Sequence, residues 1–136
     1  MKKLILSALL FCSTFFFSQK NQSYAVISYS SICCGTPTSK PVMDYLKQFE
    51  DSNRLNTFEV ITQTGLGKEG EHNFYIGIDA LDKGQKSTFF KGLQSVIDSQ
   101  NKNRRKNSDG FVGFDPAVTV HKADLTKFKN LIISKK

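Results

Sequence analysis

Thr57-Phe-Glu-Val-Ile-Thr-Gln-Thr64 and Asn73-Phe-Tyr-Ile-Gly-Ile78 are two β-branched and aromatic runs held apart by Gly65-Leu-Gly-Lys-Glu-Gly-Glu71. Residues of the first kind favour extended chain and the glycine-rich, charged segment favours a turn, so the stretch predicts an antiparallel hairpin with a mobile loop. In the second run Phe74, Ile76 and Ile78 recur at every second position, which places them on one strand face and aims that face at the core.

Working outward from this hairpin, Lys83-Gly-Gln-Lys86 leads to Ser87, after which Phe89, Phe90, Leu93, Val96 and Ile97 follow at helical spacing. On the other side Val42, Tyr45, Leu46 and Phe49 mark a second helix. Thr38 or Ser39 is placed to cap it, Pro41 sits in its first turn where an N–H has no intrahelical partner, and Asn53 or Arg54 ends it. Before that helix, Tyr24-Ala-Val-Ile-Ser-Tyr29 reads as a strand and Cys33-Cys-Gly-Thr-Pro37 as a turn. Ser99–Gly110 holds only polar residues and glycine and predicts a solvated loop or a frayed helix end. Ala117–His121 predicts a last strand, preceded by a short extended piece at Phe111–Phe114. Beyond it, a helix capped by Asp124 and carrying Leu125, Phe128, Leu131 and Ile132 competes with a strand over Asn130–Ser134.

The resulting order of strand, helix, strand, strand, helix, strand predicts an α+β chain with the split βαβ pattern of ferredoxin-like folds: an antiparallel sheet with two helices on one face, and an extra C-terminal helix as an option. At 39% hydrophobic and 23% charged residues, the composition excludes disordered, collagen-like and multi-span membrane chains. Lys2-Lys3 and the apolar run Leu4–Phe17 have the parts of a secretory signal peptide and are too short for a bilayer span of about 20 residues. The expectation is therefore a signal peptide at 1–18, one α+β domain at 19–136, no stable membrane span after cleavage, and a secreted or periplasmic protein. A lipid on Cys12 is the alternative. Without Lys2 and Lys3 the basic residues fall from 19 to 17 and the formal charge from +7 to +5, and Cys33 and Cys34 are the thiols that remain.

Those two cysteines stand where a strand ends and a helix begins, and the N–H groups of a helix start favour the thiolate. In position, Ser30-Ser-Ile-Cys-Cys34 is similar to the M-x-C-x-x-C loop of the heavy-metal-associated domains, which share this topology; here the methionine is absent and the cysteines are adjacent. Adjacency has its own chemistry. Neighbouring Cα atoms lie about 3.8 Å apart, below the usual disulfide span of about 4.4–6.8 Å, so a bond between them suits a redox switch better than a staple. Extended chain would instead turn one sulfur into the core as a small hydrophobe.

Gly65-Leu-Gly-Lys-Glu-Gly70 matches G-x-G-x-x-G literally, but a dinucleotide needs a helix after that loop, and a strand is expected. Lys102–Lys106 contains no aromatic residue on which a base can stack, which disfavours nucleic acid as a partner. His72 and His121 belong to segments that bring them together only if their strands are neighbours. With no converging catalytic set, the sequence predicts a non-enzymatic binding or interaction module without a cofactor, for an unknown protein or small ligand. Its binding surface is expected on the sheet face away from the helices, at Tyr29, Glu59 and Tyr75, with the Gly65–Glu71 loop. The rival is thiol redox chemistry, or capture of a soft metal ion such as Cu(I) or Hg(II), at Cys33 and Cys34.

Overall fold

A computed structural model describes residues 22–134; the expected signal peptide, its cleavage point and Cys12 lie outside the described residues. The described chain is α+β, with strands β1 (Ser23–Ser30), β2 (Val60–Gln63), β3 (His72–Gly77), β4 (Phe111–His121) and β5 (Leu131–Ser134) and helices α1 (Lys40–Asn53), α2 (Lys83–Lys102) and α3 (Lys122–Leu125). All five strands join one antiparallel sheet in the order β4-β1-β3-β2-β5. The hairpin forms as its residues predict, with Val60 opposite Ile76 and Gln63 opposite Asn73.

Strand alternation sorts β1 into two faces. Ala25, Ile27 and Tyr29 join Phe74 and Ile76 of β3, Val60 of β2 and Val112 of β4 in a core that also takes Val42, Leu46 and Phe49 from α1 and Phe89, Leu93 and Ile97 from α2. Both long helices therefore cover the same side of the sheet. On the other side Tyr24, Ile61 and Tyr75 pack with Leu125 of α3, so this face is partly roofed by the chain that follows β4. Phe89 is fully buried where the layers meet, its ring 5.2 Å from those of both Phe49 and Phe58. Tyr45 crosses α2 at Gly92, where any side chain would collide with its ring, and donates its hydroxyl proton to the Phe89 carbonyl at 2.9 Å.

Helix α2 begins four residues before the Ser87 start that the apolar spacing predicts. Its first turn is held by a capping box: Asp82 Oδ1 accepts from the Gln85 N–H at 2.8 Å and Gln85 Oε1 accepts from the Asp82 N–H at 3.0 Å. In α1 the Ser39 side chain makes no cap bond; Thr38 Oγ1 accepts from the Lys40 N–H at 3.2 Å instead, and Arg54 closes the helix in the left-handed region at φ 53°.

The two extended pieces expected near the C-terminus are one strand. Between the pairs Ile27 with Phe114 and Ala25 with Thr119, β1 contributes only Val26 while β4 runs through Asp115–Val118, so Pro116 sits in a bulge and interrupts no ladder bond. The optional final helix shrinks to the single turn Lys122–Leu125, and Asp124 lies within it, not at its cap. Leu131 and Ile132 belong to β5, which pairs with β2. The strand alternative prevails because Asn130, at φ 58°, turns the chain, and its carbonyl accepts from the Thr64 N–H at 3.1 Å, leading β5 along the sheet edge.

A cleft beside the Cys33–Cys34 disulfide

Antiparallel pairing puts the end of β1 next to the start of β4, with Ser30 opposite Phe111. The β1–α1 and α2–β4 connections therefore leave from one end of the sheet and face each other. Two contacts tie them together, and a third braces the α2–β4 connection on itself. Gly110 approaches the Ser30 carbonyl so closely that no side chain fits there. Gln100 Nε2 donates to the Thr38 carbonyl at 2.7 Å, and the Asn101 amide serves both backbone groups of Val112, accepting its N–H at 2.9 Å and donating to its carbonyl at 2.8 Å. Between the two connections lies a cavity of about 720 Å³, with Cys34, Pro37 and Thr38 on one wall and Ser99, Asn103 and Arg104 on the other.

Cys33 and Cys34 are joined in a disulfide across adjacent residues, their Cα atoms 3.8 Å apart. Both are exposed, so neither sulfur is the core hydrophobe that extended chain would have made of it. The turn that carries them is fixed by Gly35, at φ 103°, whose N–H donates to Ser31 Oγ at 3.2 Å. Cys33 Sγ reaches across to the opposite connection and lies 3.4 Å from the Ser108 carbonyl oxygen.

Two arginines flank the cavity and behave differently. Arg105 forks onto Asp109, with Nη2 and the backbone N–H each 2.8 Å from a carboxylate oxygen, and these bonds hold the Asp109 carboxyl down at about 2. A carboxyl depressed in this way contributes its stability above the ordinary carboxylate range and loses it only as the pH falls through about 2, so the pair stays closed at neutral and mildly acid pH. Arg104 is half-buried, donates Nη1 to the Asp109 carbonyl at 3.1 Å and lies 5.9 Å from the centre of the Phe111 ring. Among the described residues it forms no ion pair with a carboxylate.

The three residues assigned to an open sheet face do not all share it. Tyr29 is 1% exposed on the helix side, stacked on His72 with ring centres 4.6 Å apart, which corrects its expected face. Burial raises the pKa of its hydroxyl, which has no hydrogen-bond partner among the described residues. Tyr75 does point away from the helices, but it is 3% exposed beneath Leu125 and Phe128 and donates its hydroxyl proton to Gln63 Oε1 at 2.6 Å. Glu59 lines a separate cavity of about 190 Å³ and accepts from the Tyr24 hydroxyl at 3.1 Å, while burial, together with that carboxylate, pushes the Tyr24 phenol up to about 12. His72 and His121 pair with Tyr29 and Ser23, at opposite ends of β1, and so do not approach each other. The Gly65–Gly70 loop leads into β3, a strand.

Comparison with family models, curated proteins and solved structures gives no significant match. What the cleft can do rests on its own chemistry. Its arginine, asparagine and serine residues carry no motif or period, and the signal that points to them is topological: the basic segment Lys102–Lys106 follows the helix that returns to the strand beside β1. Among the described residues no three His, Cys, Asp or Glu side chains are grouped to hold a metal ion.

Proposed function

We propose that this chain is a small secreted or periplasmic binding module that holds a small ligand in the cleft between the β1–α1 and α2–β4 connections. The observation that carries this reading is the cavity itself: about 720 Å³ falls within the range of roughly 300–1,000 Å³ typical of small-molecule sites, whereas the space at Glu59 is smaller than that. A ferredoxin-like scaffold, extended by β5, is part of the proposal and is supported by the antiparallel order β4-β1-β3-β2 with α1 and α2 on one face. An oxidising compartment is supported by the exposed disulfide, and no helix among the described residues is long and apolar enough to cross a membrane. Backbone amide spectra of the ¹⁵N-labelled protein, recorded against a fragment library, test the site. Shifts are expected to cluster at Thr36–Pro41 and Ser95–Gly110; shifts confined to the surroundings of Tyr75 and Glu59 would overturn the assignment.

Thiol redox chemistry is the second reading, favoured by the exposure of both cysteines at a cleft wall. A dithiol reductant would open the bond to two thiols and itself become the disulfide. Native-state thiol counting is expected to show two additional thiols after such treatment, and the reduced pair to take up one Hg(II) per chain, an uptake lost in Cys33→Ser. A pair that resists reduction until the chain unfolds would end this reading.

A further inference from the structure

We propose that the cleft takes a small molecule bearing an oxyanion, a carboxylate, sulfate or phosphate group, seated against Arg104; this rests on the cleft being the binding site. The charge balance of the walls is the starting point. Among the described residues Asp109 is the one carboxylate that lines the cavity, and Arg105 already engages both of its oxygens. Those two charges cancel. Arg104 is left as a half-buried guanidinium whose hydrogen-bond partners among the described residues are the carbonyls of Lys106 and Asp109, reached through Nη1 alone, with the Phe111 ring 5.9 Å away. Carbonyl oxygens satisfy hydrogen bonds without neutralising the charge, and a cation partly withdrawn from water gains most from an anion. A guanidinium presents donors in a planar fork, the geometry that matches the paired oxygens of a carboxylate or phosphate.

The surroundings add to the same field. Lys102 and Lys106 flank Arg104 along the chain, both exposed. The start of α1 faces the cavity through Thr38 and Pro41; Thr38 Oγ1 takes the Lys40 N–H, but no acidic residue stands in the first turn, so no carboxylate there offsets the positive end of the helix. Volume selects the size of the ligand. A bare ion would leave nearly all of about 720 Å³ to water, whereas a larger molecule carrying the oxyanion, such as a phosphorylated sugar or a polycarboxylic acid, has further polar groups to set against Ser95, Ser99 and Asn103, whose hydroxyls and amide can bond to them.

The test titrates the protein with inorganic phosphate, sulfate, citrate, glucose 6-phosphate and uncharged glucose, followed by calorimetry and by the Arg104 side-chain Nε–Hε resonance. At least one acid is expected to saturate and to move that resonance, while glucose alone does neither. Arg104→Gln is expected to weaken the acid about tenfold or more, Arg104→Lys to weaken it less, and Lys91→Gln, on the exposed side of α2, to leave it unchanged. Saturation by inorganic phosphate or sulfate would show that the site reads the anion alone; saturation only by the ester or the polyacid would show that it reads the organic body too. The inference is overturned if no acid binds with a Kd below about 1 mM, or if acid binding leaves the Arg104 resonance unmoved, a readout of the unmutated chain that does not depend on how the variants fold. Glucose or neutral fragments shifting the cleft without regard to Arg104 would defeat the oxyanion and leave the binding site standing, whereas a cleft that no probe or fragment touches would defeat both.

Discussion

Replacing Phe89 by alanine is expected to lower the unfolding free energy by about 3–5 kcal/mol, read as a fall in the urea midpoint. The ring is fully buried and meets Phe49, Phe58, Tyr45 and Phe90, so its loss opens a void where α1, α2 and the sheet converge, and no neighbour is free to fill it. Domains of this size are stable by about 5–15 kcal/mol, so the variant approaches the limit of folding. A fall of less than about 1 kcal/mol would mean that the core is not centred there.

Gly110→Ala is the second large effect, and it joins stability to the cleft. The new methyl group would meet the Ser30 carbonyl and the Pro37 ring, and Ser30 is backbone, so β4 or the loop before it must move away from β1. Overpacking of this kind costs about 1–3 kcal/mol, and here it also displaces the Pro37 wall from the wall that carries Arg104. Gly113→Ala, three residues further on and within β4, has nothing closer than 3.7 Å and serves as the comparison. The expected outcome is a lower melting temperature and weakened cleft binding for Gly110→Ala alone. Equal melts for the two variants would refute the close approach.

The hairpin, the stripe of α1 and the core residues of α2 were legible in the sequence because each has a period: two for Phe74, Ile76 and Ile78, and near 3.6 for Val42, Leu46 and Phe49 and for Phe89, Leu93 and Ile97. The start of α2 was hidden from that reading. Lys83–Lys86 has no apolar residue, and the signal lies in the Asp82–Gln85 spacing of a capping box. Strand β1 offers no parity, since Tyr24, Val26, Ile27 and Tyr29 look apolar on both faces, and so nothing in its residues places Tyr29 on the helix side, where it lies. Leu125, Phe128, Leu131 and Ile132 keep helical spacing by coincidence in a segment that turns at Asn130 and pairs with β2. The cleft had no local signature at all. Its walls are separated by more than fifty residues and meet only because β4 lies beside β1.

The bulge in β4 bears on how this chain behaves in a crowded solution of its own copies. β4 is an outer strand of 11 residues, long enough to recruit a foreign strand and grow the sheet beyond one molecule. Midway along it Pro116 has no N–H to offer, and the Ala117 N–H is taken by Asp115 Oδ1 at 2.9 Å. An incoming strand following the segment up to Phe114 would lose register with the segment from Thr119 onward, because the four residues between them answer a single position on β1. Aggregation by this edge is thus blocked by geometry, without a row of charged side chains to repel a neighbour.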